Sequence, residues 1–177
     1  MGYSLPAAIG AAFVSRPRPV TCITGDGGLM ICLGELATLV KHRLPVRVIL
    51  FNNHCHGIQK QTLETWLDGN YVGVDPDSGL AFPEFSKVSE AMGLKTVTIR
   101  RDIDIEGVLQ NAYAYDGPIF INVEINPNQK LYPVLKFGAP LESQIPEINQ
   151  KLLESEMVIP PFKPLSQPNA DTGGAGV

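Results

Sequence analysis

Apolar residues in this chain gather into short runs that alternate between two periods. Residues 20–24 (VTCIT), 46–51 (VRVILF), Lys95–Ile99 and Ile119–Ile125 are compact runs rich in β-branched residues, bounded by Gly, Pro or Asn. They predict buried strands. Between them the period lengthens. Residues 5–14 (LPAAIGAAFV) predict a helix, with Ser4 as N-cap and Pro6 in its first turn. Residues 29–43 predict another, because Leu29, Leu33, Leu36 and Val40 recur at helical spacing and line one face. Lys41, His42 and Arg43 fall in its last turn, where positive charge suits the helix dipole, and Pro45 ends it. Further helices are predicted from Pro83 to Met92, closed by Gly93, and from Ile105 to Tyr115. Apolar strands alternating with helices predict an α/β fold, a parallel sheet with helices on both faces.

The pattern changes after Ile125. Asn126 to Pro164 is proline-rich, with one amphipathic candidate at Pro146–Glu154, and Leu165–Val177 has linker composition. The expected organisation is one domain over residues 1–146 and a tail over 147–177, partly disordered.

Composition narrows the function. Hydrophobic residues are 44% and charged residues 18% of the 177, which fits a soluble domain with a core of its own. A net charge of −4 without a basic stripe excludes a nucleic-acid footprint. The apolar runs are too short to span a membrane. The opening Met1-Gly2-Tyr3-Ser4-Leu5-Pro6 lacks a signal-peptide layout. Three cysteines, Cys22, Cys32 and Cys55, without C-x-x-C spacing suggest reduced thiols in a cytoplasmic protein rather than a disulfide framework or a zinc site.

Candidate chemistry sits at two strand ends. Gly25-Asp26-Gly27-Gly28 follows the first strand and Asn52-Asn53 follows the second. Either alone is ordinary turn chemistry. Together they bracket one helix, and if the two strands are neighbours their carboxyl ends lie roughly 5 Å apart. Asp26 and Asn53 then converge. A carboxylate and an amide oxygen are hard ligands of the kind Mg²⁺ takes together with phosphate oxygens. The glycines admit a phosphate close to the backbone, and the helix opening near Leu29 offers free N–H groups. The arrangement predicts a magnesium-diphosphate site at the carboxyl edge of a parallel sheet.

At these residues the chain resembles the thiamine-diphosphate enzymes, in particular the acetolactate synthase-like family. The resemblance is carried by MGYSLPAAIGAA at 1–12, GDGGLMICLGELATL at 25–39, LPVRVILFNN at 44–53 and HGIQKQT at 56–62, and extends to about residue 146. It implies the cofactor (diphosphate)-binding domain of that family, partly truncated at its N-terminus. It also implies ligands. Asp26, the Asn53 side chain and the Cys55 carbonyl would hold Mg²⁺. Gly25, Gly27, Gly28, His54, Cys55, His56 and Gly57 would surround the diphosphate, largely through backbone. Met1 matches a methionine that props the cofactor into a bent shape.

The implied activity is that of a 2-oxo acid decarboxylating carboligase, with pyruvate as donor. A simple 2-oxo acid decarboxylase, a sugar-pathway carboligase and a non-catalytic cofactor-binding fragment are the alternatives. The residue that activates the cofactor is a glutamate on a pyrimidine-binding domain of the same or a neighbouring subunit, so no catalytic residue is assigned in this chain. The chain by itself is expected to be inactive, and the parent enzyme a homodimer or homotetramer. A flavin (FAD) would be bound by the parent only, through a domain outside this chain. The sequence departs from the family at Ser4, Gly28 and Cys55. The stretch Asn70–Phe82 (NYVGVDPDSGLAF) is closer to family members of surface-polysaccharide and modified-sugar pathways, which leaves the acceptor open.

Three other features have plainer readings. His54-Cys55-His56 fits no standard zinc spacing. Glu35 suits a helix rim better than a general base. Trp66 and Tyr71 are read as packing.

Overall fold

A computed structural model describes residues 1–135 and 138–160. The chain divides into two compact units, the first Met1–Lys130 and the second beginning at Leu131.

The first unit runs α1 (Ser4–Ser15), β1 (Val20–Gly25), α2 (Asp26–Ile31), α3 (Leu36–Lys41), β2 (Val46–Asn52), α4 (Gly57–Trp66), α5 (Phe85–Ala91), β3 (Lys95–Ile99), α6 (Ile105–Ala114) and β4 (Ile119–Glu124), with short 3₁₀ turns between some of them. The four strands are parallel in the order β1-β2-β4-β3. All four predicted strands form, and the predicted architecture holds.

Alternate residues of each strand build two cores. Val46, Val48 and Leu50 of β2 and Phe120 of β4 face α1, α2, α3 and α5, and pack with Leu5, Leu29, Leu36, Leu39 and Phe85. The opposite face carries Ile119 and Ile121, which pack with Ala112 of α6. α6 leaves part of that face open, so Ile23 of β1 and Phe51 of β2 remain 57% and 43% exposed. Among the described strands β1 stands at one edge.

Arg47 is an exception inside the second face. Its side chain is buried, and its guanidinium donates to the carbonyls of Ala112 (3.1 Å), Tyr113 (3.1 Å), Tyr115 (2.6 Å) and Gly117 (3.4 Å). The last helical carbonyls have no partner within the helix. The arginine supplies one and ties β2 to the end of α6. Burial pulls its pKa down from the usual arginine value.

Three local expectations are corrected. The helix predicted over 29–43 begins earlier, at Asp26, and is broken. Cys32 leaves helical geometry (φ −124°, ψ 23°), Leu33–Glu35 form a 3₁₀ turn, and α3 restarts at Leu36. Gly34 lies in the break, and glycine is a poor helix former. Ser4 is not the N-cap of α1. Tyr3 holds that position without a side-chain cap bond, and the Ser4 hydroxyl faces the Cys22 thiol. Finally, α4 forms where no helix was expected.

In the second unit, Val134–Leu135 (β5) pairs antiparallel with Gln144–Ile145 (β6). A helix, α7, follows over Gln150–Glu156, overlapping the amphipathic candidate. The Asn149 side chain caps it, accepting from Lys151 N at 3.0 Å and Leu152 N at 3.2 Å. The segment Leu165–Val177, expected to be disordered, lies outside the described residues.

Candidate functional site

The first two strands are immediate neighbours, with Gly25 opposite Phe51 in register. Asp26 and the Asn52-Asn53 pair therefore leave the sheet side by side. Asp26 opens α2 directly after Gly25, an extended N-cap. Its side chain is buried, and Oδ1 accepts from its neighbour's amide, Gly27 N, at 2.7 Å. Burial pushes the carboxyl above its ordinary pKa, and the amides of Gly27, Cys55, His54 and Asn53 pull it back.

The other carboxylate oxygen faces Asn53. One end of the Asn53 amide lies 3.0 Å from Asp26 Oδ2 and 2.8 Å from the Cys55 carbonyl oxygen. With nitrogen at that end, the amide donates twice. With oxygen there, three oxygens face one another, an arrangement that a bound cation would stabilise. Mg²⁺ holds its ligands at about 2.0–2.1 Å, so adjacent ligand oxygens of its octahedron lie about 2.8–3.0 Å apart. The two measured separations match that edge. Asp26, Asn53 and Cys55 thus form a polar cradle around one buried carboxyl.

Two glycines make the cradle possible. A Cβ on Gly57, the first residue of α4, would stand 2.6 Å from Asn53 Nδ2. A Cβ on Gly27 would stand 2.6 Å from the His56 imidazole Cε1 and Nδ1, and 3.2 Å from Met1 Cε. So Met1, Gly27 and His56 meet at one point, although Met1 itself is largely exposed. Gly28 lies beside Thr24, its added Cβ 3.2 Å from Thr24 Oγ1. His56 is fixed by its amide bond to Val74 O (2.8 Å) and by an edge contact with Phe82 at 5.5 Å. Cys55 is buried with its Sγ 3.6 Å from Pro127 O, and burial pushes its thiol pKa up. A thiol held neutral is a poor metal ligand; its carbonyl is what it offers. The predicted residues Met1, Gly25, Asp26, Gly27, Gly28, Asn53, His54, Cys55, His56 and Gly57 all lie on the β1–α2 and β2–α4 connections or beside them.

Other candidates fall away from this point. Glu35 accepts from Thr38 Oγ1 at 2.8 Å at the start of α3, a local helix-end role. Asp75, Lys60 and Ser78 form a closed knot. Lys60 Nζ sits 2.7 Å from Asp75 Oδ2, and the same carboxylate accepts from Ser78 N at 2.9 Å. Those bonds hold the Asp75 carboxyl down at a pKa of about 2.

Two polar residues were not singled out from sequence. Asn122 and Glu124 alternate with apolar residues along β4, and Glu124 stands opposite Asn52. Glu124 Oε2 lies 2.8 Å from His54 Nε2. The signal was present in IFINVE: two polar side chains on one face of an otherwise apolar strand, at its carboxyl end.

This geometry gathers a buried carboxyl, an amide and a backbone carbonyl at the carboxyl edge of a parallel sheet. The family model "Thiamine pyrophosphate enzyme, C-terminal TPP binding domain" matches residues 1–123, and the chain belongs to that family. It is therefore a thiamine-diphosphate-binding domain.

Among relatives, the acetolactate synthase large subunit of Pyropia yezoensis is 34% identical over 138 residues, covering 78% of this chain and 23% of that protein. The acetolactate synthase isozyme 1 large subunit of Escherichia coli K12 is 34% identical over 140 residues, 78% of this chain and 24% of that protein. A solved thiamine diphosphate-dependent 4-hydroxybenzoylformate decarboxylase of Rhodococcus jostii RHA1 superposes with a TM-score of 0.65 at 27% identity, covering 71% of this chain and 23% of that one. The chain spans about a quarter of the length of the relatives it matches. Among the described residues no helix is long and apolar enough to cross a membrane.

Proposed function

We propose that this chain binds thiamine diphosphate through Mg²⁺ and serves a 2-oxo acid decarboxylating carboligase of the acetolactate synthase type, with pyruvate as donor. The carrying observation is the cradle. The Asn53 amide meets Asp26 Oδ2 and the Cys55 carbonyl at the spacing of a magnesium octahedron. Asp26 supplies the charge, Asn53 and Cys55 the neutral oxygens. Gly28, in the first turn of α2, would offer its backbone N–H to a diphosphate, Gly27 would leave room for it, and the His54–His56 backbone would flank it. Met1, beside Gly27, would support the middle of the cofactor.

Bound thiamine diphosphate would supply a nucleophilic carbon and an electron sink for loss of carbon dioxide from a 2-oxo acid. The chain's own residues anchor and orient. On this reading the residue that activates the cofactor belongs to a pyrimidine-binding domain of the same or a neighbouring subunit, in a homodimer or homotetramer.

Calorimetry of the chain with thiamine diphosphate, with and without MgCl₂, tests the binding. Metal-dependent binding that disappears in Asp26→Ala is the expected result. Affinity that is indifferent to Mg²⁺ or to Asp26 overturns the assignment.

A second reading, a simple 2-oxo acid decarboxylase, is favoured by the likeness to benzoylformate decarboxylases, including that of Polynucleobacter necessarius (TM-score 0.65, 28% identity). The products formed by the parent enzyme separate the two. Acetolactate from pyruvate supports the first; an aldehyde alone supports the second.

A further inference from the structure

His54 sits between the two residues that give the cradle its neutral oxygens, and its backbone is left-handed (φ 56°). That region disfavours any residue with a Cβ. Locally His54 N makes a long bond to Asn52 Oδ1 at 3.3 Å and also faces the Asp26 carboxyl. The firmer restraint is remote in sequence. His54 Nε2 lies 2.8 Å from Glu124 Oε2, and Glu124 Oε1 accepts from Asn122 Nδ2 at 2.7 Å.

Asn122 and Glu124 are on β4, which pairs directly with β2, so the chain of contacts runs from rigid sheet to ligand loop. Asn122 is 5% exposed, and its Oδ1 is buried with no hydrogen-bond partner. A buried acceptor left unpaired is costly. Here the amide is turned so that its N–H₂ meets the carboxylate.

We propose that Glu124, aligned by Asn122, is a positioning residue: it clamps the His54 imidazole and thereby holds the left-handed turn that aims the Asn53 side chain and the Cys55 carbonyl at Asp26. The role rests on the magnesium-diphosphate reading of that cradle. An exposed ion pair by itself contributes little, and both partners here keep some exposure (48% and 29%). The clamp gains its effect from the backbone it restrains. Without it the loop relaxes, and binding must restore the turn. The expected loss of affinity is about five- to thirty-fold, the factor that corresponds to the ~1–2 kcal/mol cost of a left-handed residue with a Cβ.

The test is a double-mutant cycle in the chain, read by calorimetry with thiamine diphosphate and MgCl₂ and by denaturant unfolding without ligand. Glu124→Ala is expected to weaken binding by that factor and to lower stability. Glu124→Gln is expected to retain most of both. Its Oε1 accepts from His54, and its amide donates to Asn122 Oδ1 once that side chain turns over. In the His54→Gly background, where glycine adopts the turn freely, Glu124→Ala is expected to change neither readout. Unchanged affinity in Glu124→Ala overturns the proposal, as does an equal loss in the His54→Gly background. If the parent chain shows no metal-dependent binding at all, the cofactor reading falls and takes the positioning role with it, while the unfolding cycle still decides whether the clamp exists.

Discussion

Replacing Gly27 by alanine should give opposite effects in two backgrounds. The added Cβ would lie 2.6 Å from the His56 ring and 3.2 Å from Met1 Cε. Carbon atoms rest at about 3.5–4.0 Å, so the imidazole must yield by about 1 Å, whereas the flexible end of Met1 gives way easily. His56 is held by its amide bond to Val74 and by Phe82. Overpacking of this kind costs about 1–3 kcal/mol. Against that, alanine is better than glycine within a helix by up to ~1 kcal/mol, and Gly27 lies in α2 without a positive φ. With the full helical gain, the net expectation for Gly27→Ala is a loss of up to about 2 kcal/mol, from the difference of those two terms. In a His56→Ala background the collision disappears and only the helical gain remains, so Gly27→Ala should there stabilise by up to ~1 kcal/mol. Urea unfolding of the four proteins measures the cycle. The same sign in both backgrounds would refute the steric account of Gly27.

Three further outcomes follow from the described contacts. Asp26→Asn should abolish metal-dependent binding of thiamine diphosphate yet raise the melting temperature of the ligand-free chain, since burial already disfavours the carboxylate; a ligand-free chain that melts lower would contradict this. Arg47→Met should cost about 3 kcal/mol, because it strands carbonyls at the end of α6 that charge-assisted bonds now satisfy. A change below about 1 kcal/mol in chemical denaturation would show those carbonyls find other partners. The depressed Asp75 pKa contributes stability that is full above the ordinary aspartate range and is lost as pH falls through about 2. Acid unfolding followed between pH 4 and 2 should therefore lose part of its pH dependence in Asp75→Asn, and an unaltered acid profile would rule this out.

The strands were legible because each is a short β-branched run closed by turn residues, which leaves the backbone few options. The stripe of Leu29, Leu33, Leu36 and Val40 correctly identified residues of one core, since all four face it. It could not reveal the break at Cys32, because a helix pair can keep its apolar side toward the sheet while its axis is interrupted. α4 was missed because polar residues outnumber apolar ones along it, and none of its side chains is buried. In the site, Asp26 and Asn53 were readable because they end consecutive strands that pair. The link between His54 and Glu124 was not, because it depends on β4 lying between β2 and β3, an order no local pattern encodes.

The position of β1 at the sheet margin has a consequence for handling the protein. Its outer row of amides and carbonyls has no neighbouring strand among the described residues, and one of its faces shows Ile23 to solvent beside Phe51. Natural sheets blunt such margins with lysine, proline or a bulge. The sequence VTCITG has none of these. Concentrated chain should therefore grow assemblies by strand addition at this margin, and Ile23→Lys is the substitution most suited to keep it monodisperse, since it adds charge there without altering Asp26, Asn53 or Cys55.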